Sequence, residues 1–297
     1  MAPRASGGVR MKPAPFAYLR ATSVDDALEA LRQHGPEARI IAGGQSLMPM
    51  LNMRLTKPAV LVDVMRIPAL KEPRLDKGAL VIPAGVRQAI LLDRPGLARD
   101  LPLLAAALPW VGHIQTRARG TLCGSVAHAD PSAEIPLCLV ALQGEVHLRN
   151  RRKVRRVAAE TFFAGMMVTD RADDEMIEAI AYPLRREGTG TAFAEIGRRH
   201  GDYAIVACAA VVDGTRMRLA VGGVADRPTA RDFPHLDGSA LDDALNAFAW
   251  DLGAGDDLHA TARYRRDLVR SLGRRVLEQA AKVARGDTHQ EAVPCHS

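Results

Sequence analysis

One stretch restricts this chain more than any other: Arg39-Ile40-Ile41-Ala42-Gly43-Gly44-Gln45-Ser46-Leu47-Met48-Pro49-Met50-Leu51. It reads as a short buried strand, a two-glycine turn and an apolar helical run opened by Ser46. Adjacent glycines admit positive φ and let a ligand approach bare N–H groups. The free N–H groups and positive dipole end of a helix starting at Ser46 would favour a phosphate in the turn. Glycine pairs after strands also occur in ordinary turns, and two common phosphate patterns fail here. No Gly-x-Gly-x-x-Gly follows Ile41, and the acid expected about twenty residues on would have to be Asp63, inside the next strand. No Gly-Lys-Ser/Thr follows either, so the turn is not a P-loop.

Around this stretch, helix and strand patterns alternate. Ser23 followed by Asp26 is a hydroxyl cap with a returning acid, Ala27, Leu28, Ala30 and Leu31 supply an apolar face, and Gly35-Pro36 stops the helix. Residues 60–64 read as a second buried strand, which makes 11–66 a small helix-on-sheet subdomain. A second subdomain, 67–186, starts with strands around the turn Asp76-Lys77-Gly78 and helices over 88–92 and about 101–108. A long small-residue and polar loop then runs from Trp110 to Glu134, and loops of that length usually carry function. A helix over 135–142, a hairpin of 145–148 and 154–158 with the basic tip Arg149 to Lys153, and a strand over 176–181 complete it. A polar linker at Arg185-Arg186-Glu187-Gly188 opens a C-terminal domain, 187–297. Strands are expected there over 192–196, 204–212 and 216–222, the last two joined at Asp213-Gly214. A helix over about 261–284 carries Tyr264, Leu268, Leu272 and Val276 at i, i+4 spacing. Residues 1–10 read as a loose leader, with Met11 a possible original start.

Composition removes several classes of function. Lysine and arginine (40) barely exceed aspartate and glutamate (34), and aromatic residues are 4%, too few for base-stacking platforms. The basic run 149–156 reads as a solvated hairpin tip or a partner contact, not a nucleic-acid surface. No apolar run is long enough to span a bilayer and no signal-peptide core is visible, so a cytoplasmic setting is expected. Cys123, Cys138, Cys208 and Cys295 form no CxxC, which supports neither a disulfide framework nor an iron–sulfur cluster. His113, His128 and His200 have no ligating partners at metal spacing, and no Ser-His-Asp set can be assembled. No metal site and no catalytic acid, base or nucleophile is assigned.

A second small-residue loop could oppose the first. Thr121 and Ser125 bring hydroxyls, Gly120 and Gly124 permit close backbone approach, and two such loops could hold a pyrophosphate through many N–H donors and few charges. Packing of that loop beneath a helix is the alternative. Three blocks then make a recognisable set: Ala42-Gly43-Gly44-Gln45-Ser46-Leu47, Arg117-x-x-Gly120-Thr121-x-x-Gly124-Ser125-x-Ala127-His128-Ala129-Asp130-Pro131, and Arg198-Arg199-x-Gly201-Asp202-Tyr203-Ala204. With Asp257-Leu258-His259 and Tyr264-Arg265 further on, they resemble the FAD-binding medium subunit of bacterial molybdenum hydroxylases. That group includes carbon monoxide dehydrogenase and the dehydrogenases of nicotine, quinoline and related N-heterocycles.

The resemblance implies an α+β fold of the p-cresol methylhydroxylase/vanillyl-alcohol oxidase type: two α+β subdomains that bind FAD, then a C-terminal α+β domain with an antiparallel sheet and helices. It implies that Ile40, Ile41, Ala42, Gly43, Gly44, Gln45 and Ser46 wrap the pyrophosphate. Thr121, Leu122, Cys123, Gly124 and Ser125 would form the second loop, with Gly112 and Gly120 beside it. Glu134 would reach the ribose or adenine side, Ile177 would lie by the adenine, and Tyr203 would stand near the isoalloxazine. It further implies a small iron–sulfur subunit carrying 2Fe–2S clusters, a large molybdopterin subunit that hydroxylates substrate, and a dimer of such heterotrimers. Electrons would pass from the clusters through FAD to an external acceptor. A stand-alone flavin oxidase or reductase is the alternative within the same cofactor class, and a basic nucleic-acid-binding module is a remote one. Gln45, where the carbon monoxide enzymes tend to carry His, leans toward an N-heterocycle substrate. Cys123 departs from the family pattern, which has two consecutive glycines there; the expectation is lost φ freedom and added bulk near the cofactor.

Overall fold

The computed structural model describes residues 12–287. The expected leader, the possible start at Met11 and Cys295 lie outside the described residues. The first helix, Val24–His34, is closed by the expected capping box: Ser23 accepts from the Asp26 N–H, and the Asp26 carboxylate accepts from the Ser23 N–H. Its buried face, Val24, Ala27, Leu28, Ala30 and Leu31, repeats with helical period and packs into the main core.

That helix accompanies a three-stranded parallel sheet of Ala17–Arg20, Val60–Asp63 and Ala38–Ile41, with Val60–Asp63 in the centre. The edge strand Ala17–Arg20 went unread in the sequence because its residues are mostly exposed and show no alternation. Parallel sheets present ligands outside the carboxyl ends of their strands, and the Gly43-Gly44 turn lies at that end of Ala38–Ile41.

Five antiparallel strands form the second sheet, in the spatial order Arg74–Asp76, Ala79–Pro83, Met176–Pro183, Glu145–Arg149 and Val154–Ala158. Lys77 and Gly78 both take positive φ and make the tight turn read at 76–78. The basic hairpin tip is partly neutralised within the chain: Arg149 pairs with Asp25 and Glu178, and Arg151 with Glu29 on the first helix. The third sheet, Gly190–Gly197, Ala204–Val212, Met217–Gly222 and Thr229–Phe233, is antiparallel and buried on both faces. One face meets Gly238–Asp251 and Ala262–Arg285; the other contributes Phe193, Ala207, Ala209 and Ala220 to the main core.

Besides the edge strand Ala17–Arg20, the sequence reading differs from the fold in the long loop, in the last helix, and in the unexpected strand Thr229–Phe233 and helix after it. The long loop from Trp110 to Glu134 contains two helices, Ile114–Arg119 and Leu122–His128, split by Gly120, with Thr121 capping the second through the Gly124 N–H at 3.0 Å. Its small residues suit tight helix packing as well as they suit a loop. In the last helix the inward stripe is Arg265, Val269, Leu272 and Val276, while Tyr264 is 46% exposed. Arg265 turns inward to donate to Gly255 and Ala260 carbonyls and to Asp257, which rotates the first turns by one position. The helix Gly238–Asp251 was not anticipated.

Candidate functional site

The two glycine segments do meet. A Cβ on Gly43 would lie 2.3 Å from the Arg119 carbonyl oxygen and 2.7 Å from Gly120 Cα, so the turn after Ala38–Ile41 rests directly on the break between the two short helices. Gly44 takes φ +70°, the left-handed conformation that the turn requires. The second segment is pinned from below by the Gln88 N–H, which donates to the Gly120 carbonyl at 2.8 Å. Arg117 secures the preceding turn: one guanidinium nitrogen donates to the carbonyls of Pro109, Val111 and Gly112 at 3.2, 3.0 and 2.8 Å. The loop Arg198–Tyr203 reaches this place from the third sheet. Gly201, at φ +85°, packs so closely on His113 and the Gly112 carbonyl that a Cβ would lie 2.7 Å from the imidazole. The rings of His200 and Trp110 stand 4.9 Å apart.

These contacts enclose a cleft of about 700 Å³, within the size range of cofactor sites. Ile40 through Ser46, Gly112, Gly120, Thr121, Cys123, Gly124, Ser125, Glu134, Ile177 and Tyr203 all line it. Leu122 is the exception, since its side chain is fully buried in the main core. Ile177 is placed by a β-bulge between Ile177 and Ala179, where Met176–Pro183 shifts register against Glu145–Arg149. The sequence reading missed Gln88, Thr116, Arg39 and Arg171 in the lining. Arg171 carries no carboxylate partner among the described residues; it donates to the carbonyls of Ala172 and Glu175, and burial lowers its pKa. Only their arrangement in space brings these scattered polar residues together, so no local motif could have shown them.

Cys123 does not disturb the cleft in the manner expected. It lies inside Leu122–His128 without positive φ, and its thiol points inward toward the Ile82 carbonyl at 3.4 Å. Burial pushes that thiol far above its ordinary pKa, which removes the thiolate a redox role would need. Cys138 and Cys208 are likewise buried with raised pKa values. In a Cys295→Ser background, native protein should therefore show no fast-reacting thiol toward an aromatic disulfide reagent and three after unfolding. A fast native thiol would contradict this placement. Cys123→Gly should cost about 1 kcal/mol, through lost burial of the thiol and lower helix propensity together, and leave cofactor retention intact.

Two carboxyls near the cleft are buried. Glu134 opens the helix Glu134–Ala141 at 4% exposure, and burial, with Asp130 adding to it, pushes its carboxyl up to about 7. Glu195 lies behind it at 6% exposure, one oxygen without a partner among the described residues. Burial first and Glu134 second push Glu195 up to about 9. A carboxyl with a raised folded pKa keeps its proton longer in the fold than in the unfolded chain. Stability then declines as pH climbs from the unfolded value through the folded one. The melting temperature should fall between about pH 5 and 9, and Glu195→Gln should remove the upper part of that fall. Parallel curves for the two proteins would contradict it.

The cleft suits a nucleotide cofactor with a diphosphate. Close glycine turns bring bare N–H groups to its wall, hydroxyls of Ser46, Thr121 and Ser125 flank them, and Arg39 and Arg171 stand as cations in the lining. Gln88, 4% exposed, leaves its side-chain oxygen without a partner in this lining, a buried acceptor that a ligand donor would satisfy. Fold and cleft together define a dinucleotide-binding α+β protein. Residues 14–185 match the family described as the FAD binding domain in molybdopterin dehydrogenase, and residues 191–280 the CO dehydrogenase flavoprotein C-terminal domain. The chain belongs to this family of FAD-binding subunits of molybdenum-containing oxidoreductases.

Its relatives include the 6-hydroxypseudooxynicotine dehydrogenase complex subunit alpha of Paenarthrobacter nicotinovorans, 36% identical over 93% of this chain and 97% of the relative. The carbon monoxide dehydrogenase medium chain of Hydrogenophaga pseudoflava is 35% identical over 74% of this chain and 78% of its own length. Among solved structures, quinoline 2-oxidoreductase from Pseudomonas putida 86 superposes with a TM-score of 0.85 at 32% identity, covering 92% of this chain and 99% of that one. These likenesses bear out the α+β flavoprotein fold that the three sequence blocks imply. Among the described residues, no helix is long and apolar enough to cross a membrane, and no group of three or more His, Cys, Asp or Glu could hold a metal ion.

Proposed function

We propose that this chain holds FAD in the cleft between its glycine turns and serves as the electron-transfer subunit of a cytoplasmic molybdenum hydroxylase. The observation that carries the reading is the direct seating of Gly43 on the Arg119–Gly120 backbone, which turns two separate motifs into one wall. Ile40 through Ser46 and Thr121 through Cys123 would offer backbone donors to the diphosphate, Leu122 through its backbone alone, with the Ser46, Thr121 and Ser125 hydroxyls beside them and Gly124 leaving room while its N–H serves the Thr121 cap. Gly112 and Gly120 leave room beside it, while Glu134, Ile177 and Tyr203 close the ends. We assign the FAD-binding part to residues 11–186, with subdomains meeting near 66, and the C-terminal part to 187–297.

Bound FAD supplies the exchange between single electrons and electron pairs. The chain's own contribution is to bind, orient and shield that group, and no acid or base of this chain needs to act on an organic substrate. The partners are a small subunit with 2Fe–2S clusters and a large molybdopterin subunit, paired as a dimer of heterotrimers. Relatives named for nicotine and caffeine, and the structure named for quinoline, support an N-heterocycle as the substrate class. The test is anaerobic reduction by substrate: the assembled complex should bleach its flavin absorbance and the isolated FAD-loaded chain should not. Bleaching by the isolated chain would favour the stand-alone oxidase or reductase.

A further inference from the structure

The helix Glu134–Ala141 begins with an acid that lines the cofactor cleft at 4% exposure. Behind it the third sheet supplies a second acid. Glu195 stands in register with Ala207, and Ala207 with Gly222, so the three form one row on one face of the sheet. A Cβ on Gly222 would lie 3.0 Å from the Pro131 carbonyl oxygen and 3.6 Å from Leu137 Cδ2, which turns this row toward the start of that helix. The two small neighbours leave the space that Glu195 fills at 6% exposure, one carboxyl oxygen without a partner among the described residues.

Carboxylates buried this deeply are normally paired with a cation, and this pair is poorly supplied with one. Glu195 faces only Glu134 and the thiol of Cys138, one turn further along the same helix. Glu134 faces Glu195, Asp130 from the preceding loop, Tyr203 from the loop Arg198–Tyr203 and, as its one cation, Arg117. Arg117 is spent on three backbone carbonyls and makes no ion pair among the described residues. Arg39 and Arg171 belong to the same cleft but do not act on Glu134. The helix start favours a charged Glu134; burial outweighs it. The pair therefore has a neutral state that suits the fold and an ionised state that little offsets, beside a cleft that suits a diphosphate.

We infer that Glu134, backed by Glu195, makes retention of the cofactor proton-linked: with both carboxyls neutral the cleft accepts a doubly anionic dinucleotide, and ionisation of the pair weakens its hold. This rests on the FAD reading above. A negative charge brought beside the pair favours its proton-bound form, so the chain takes a proton from solvent as the cofactor binds and returns it on release. Binding then weakens as pH rises, by up to about tenfold per pH unit for each proton taken up.

The test is titration of the full chain with FAD at pH values from about 6 to 9.5, for wild type, Glu134→Gln, Glu195→Gln and the double variant. Wild-type affinity should fall at least about tenfold across this range. Glutamine is a lasting copy of the neutral acid, so each single variant should lose part of the fall and the double variant all of it. At the alkaline end the double variant should bind FAD about tenfold more tightly than wild type. A merely structural role for the pair predicts the opposite, variants weaker than wild type at every pH. A level wild-type profile, or a double variant that falls in parallel with it, would overturn the inference. A chain that takes up no FAD at any pH removes the flavin reading instead, and infrared spectroscopy then reads the pair directly. A protonated-carboxyl band at neutral pH that weakens in each variant keeps the proton-holding pair, and a spectrum without that band overturns it.

Discussion

Gly43→Ala should abolish FAD retention. The new methyl group would sit 2.3 Å from the Arg119 carbonyl oxygen and 2.7 Å from Gly120 Cα, and neither is a side chain that can swing aside. Relief requires the two cofactor-facing segments to part. Overpacking of this kind costs up to about 3 kcal/mol, and at about 1.4 kcal/mol per tenfold that is roughly a hundredfold in affinity. Gly78→Ala is the control. Gly78 has φ +78° but nothing within 4 Å of an added Cβ, so it meets backbone strain without a clash and should keep its flavin. Gly44→Val should also lose flavin, by a different route. Its φ of +70° resists any side chain, while its nearest neighbour, Met48 Cγ at 3.3 Å, can move. Flavin titration of the three variants checks the order, and full retention by Gly43→Ala would remove the two-turn contact from the account.

Arg117→Ala should be the next most damaging change, acting on fold and cofactor together. One guanidinium nitrogen serves the carbonyls of Pro109, Val111 and Gly112, which fixes the turn where Gly112 takes φ +51°. That turn in turn seats Gly201 and the loop that carries Tyr203. Hydrogen bonds to a charged donor contribute about 1.5–3 kcal/mol each when counted singly, and three on one nitrogen share that strength, so a total loss of about 3 kcal/mol is expected. Arg117→Lys should recover part of it, because an ammonium reaches fewer of the three acceptors. Thermal melting combined with flavin titration checks this; an unchanged melting temperature in Arg117→Ala would contradict it.

Local signals in the sequence were strong where a residue's role is local. The Ser23–Asp26 capping box, the Lys77-Gly78 turn and the glycine pair after Ala38–Ile41 each depend on a few adjacent residues, and each formed as read. The helix Gly238–Asp251 carries a local signal of the same kind, with Leu241, Leu245 and Phe248 at helical spacing. Two misreadings have a physical cause. Small residues between Trp110 and Glu134 serve close helix packing, which looks like a loop until the opposing turn is in place. Arg265 faces inward because Gly255, Ala260 and Asp257 offer it acceptors, and no periodicity of apolar residues could announce that. Most of the cleft was legible because its wall is made of contiguous motifs. Gln88, Arg39 and Arg171 were not, since each comes singly from a distant element.

The most direct measurement of the central claim is the visible spectrum of the purified chain with its FAD stoichiometry after incubation with the cofactor and gel filtration. The account predicts flavin absorbance near 450 nm at about one FAD per chain, lost in Gly43→Ala. A folded wild-type chain that emerges colourless after exposure to FAD would contradict it.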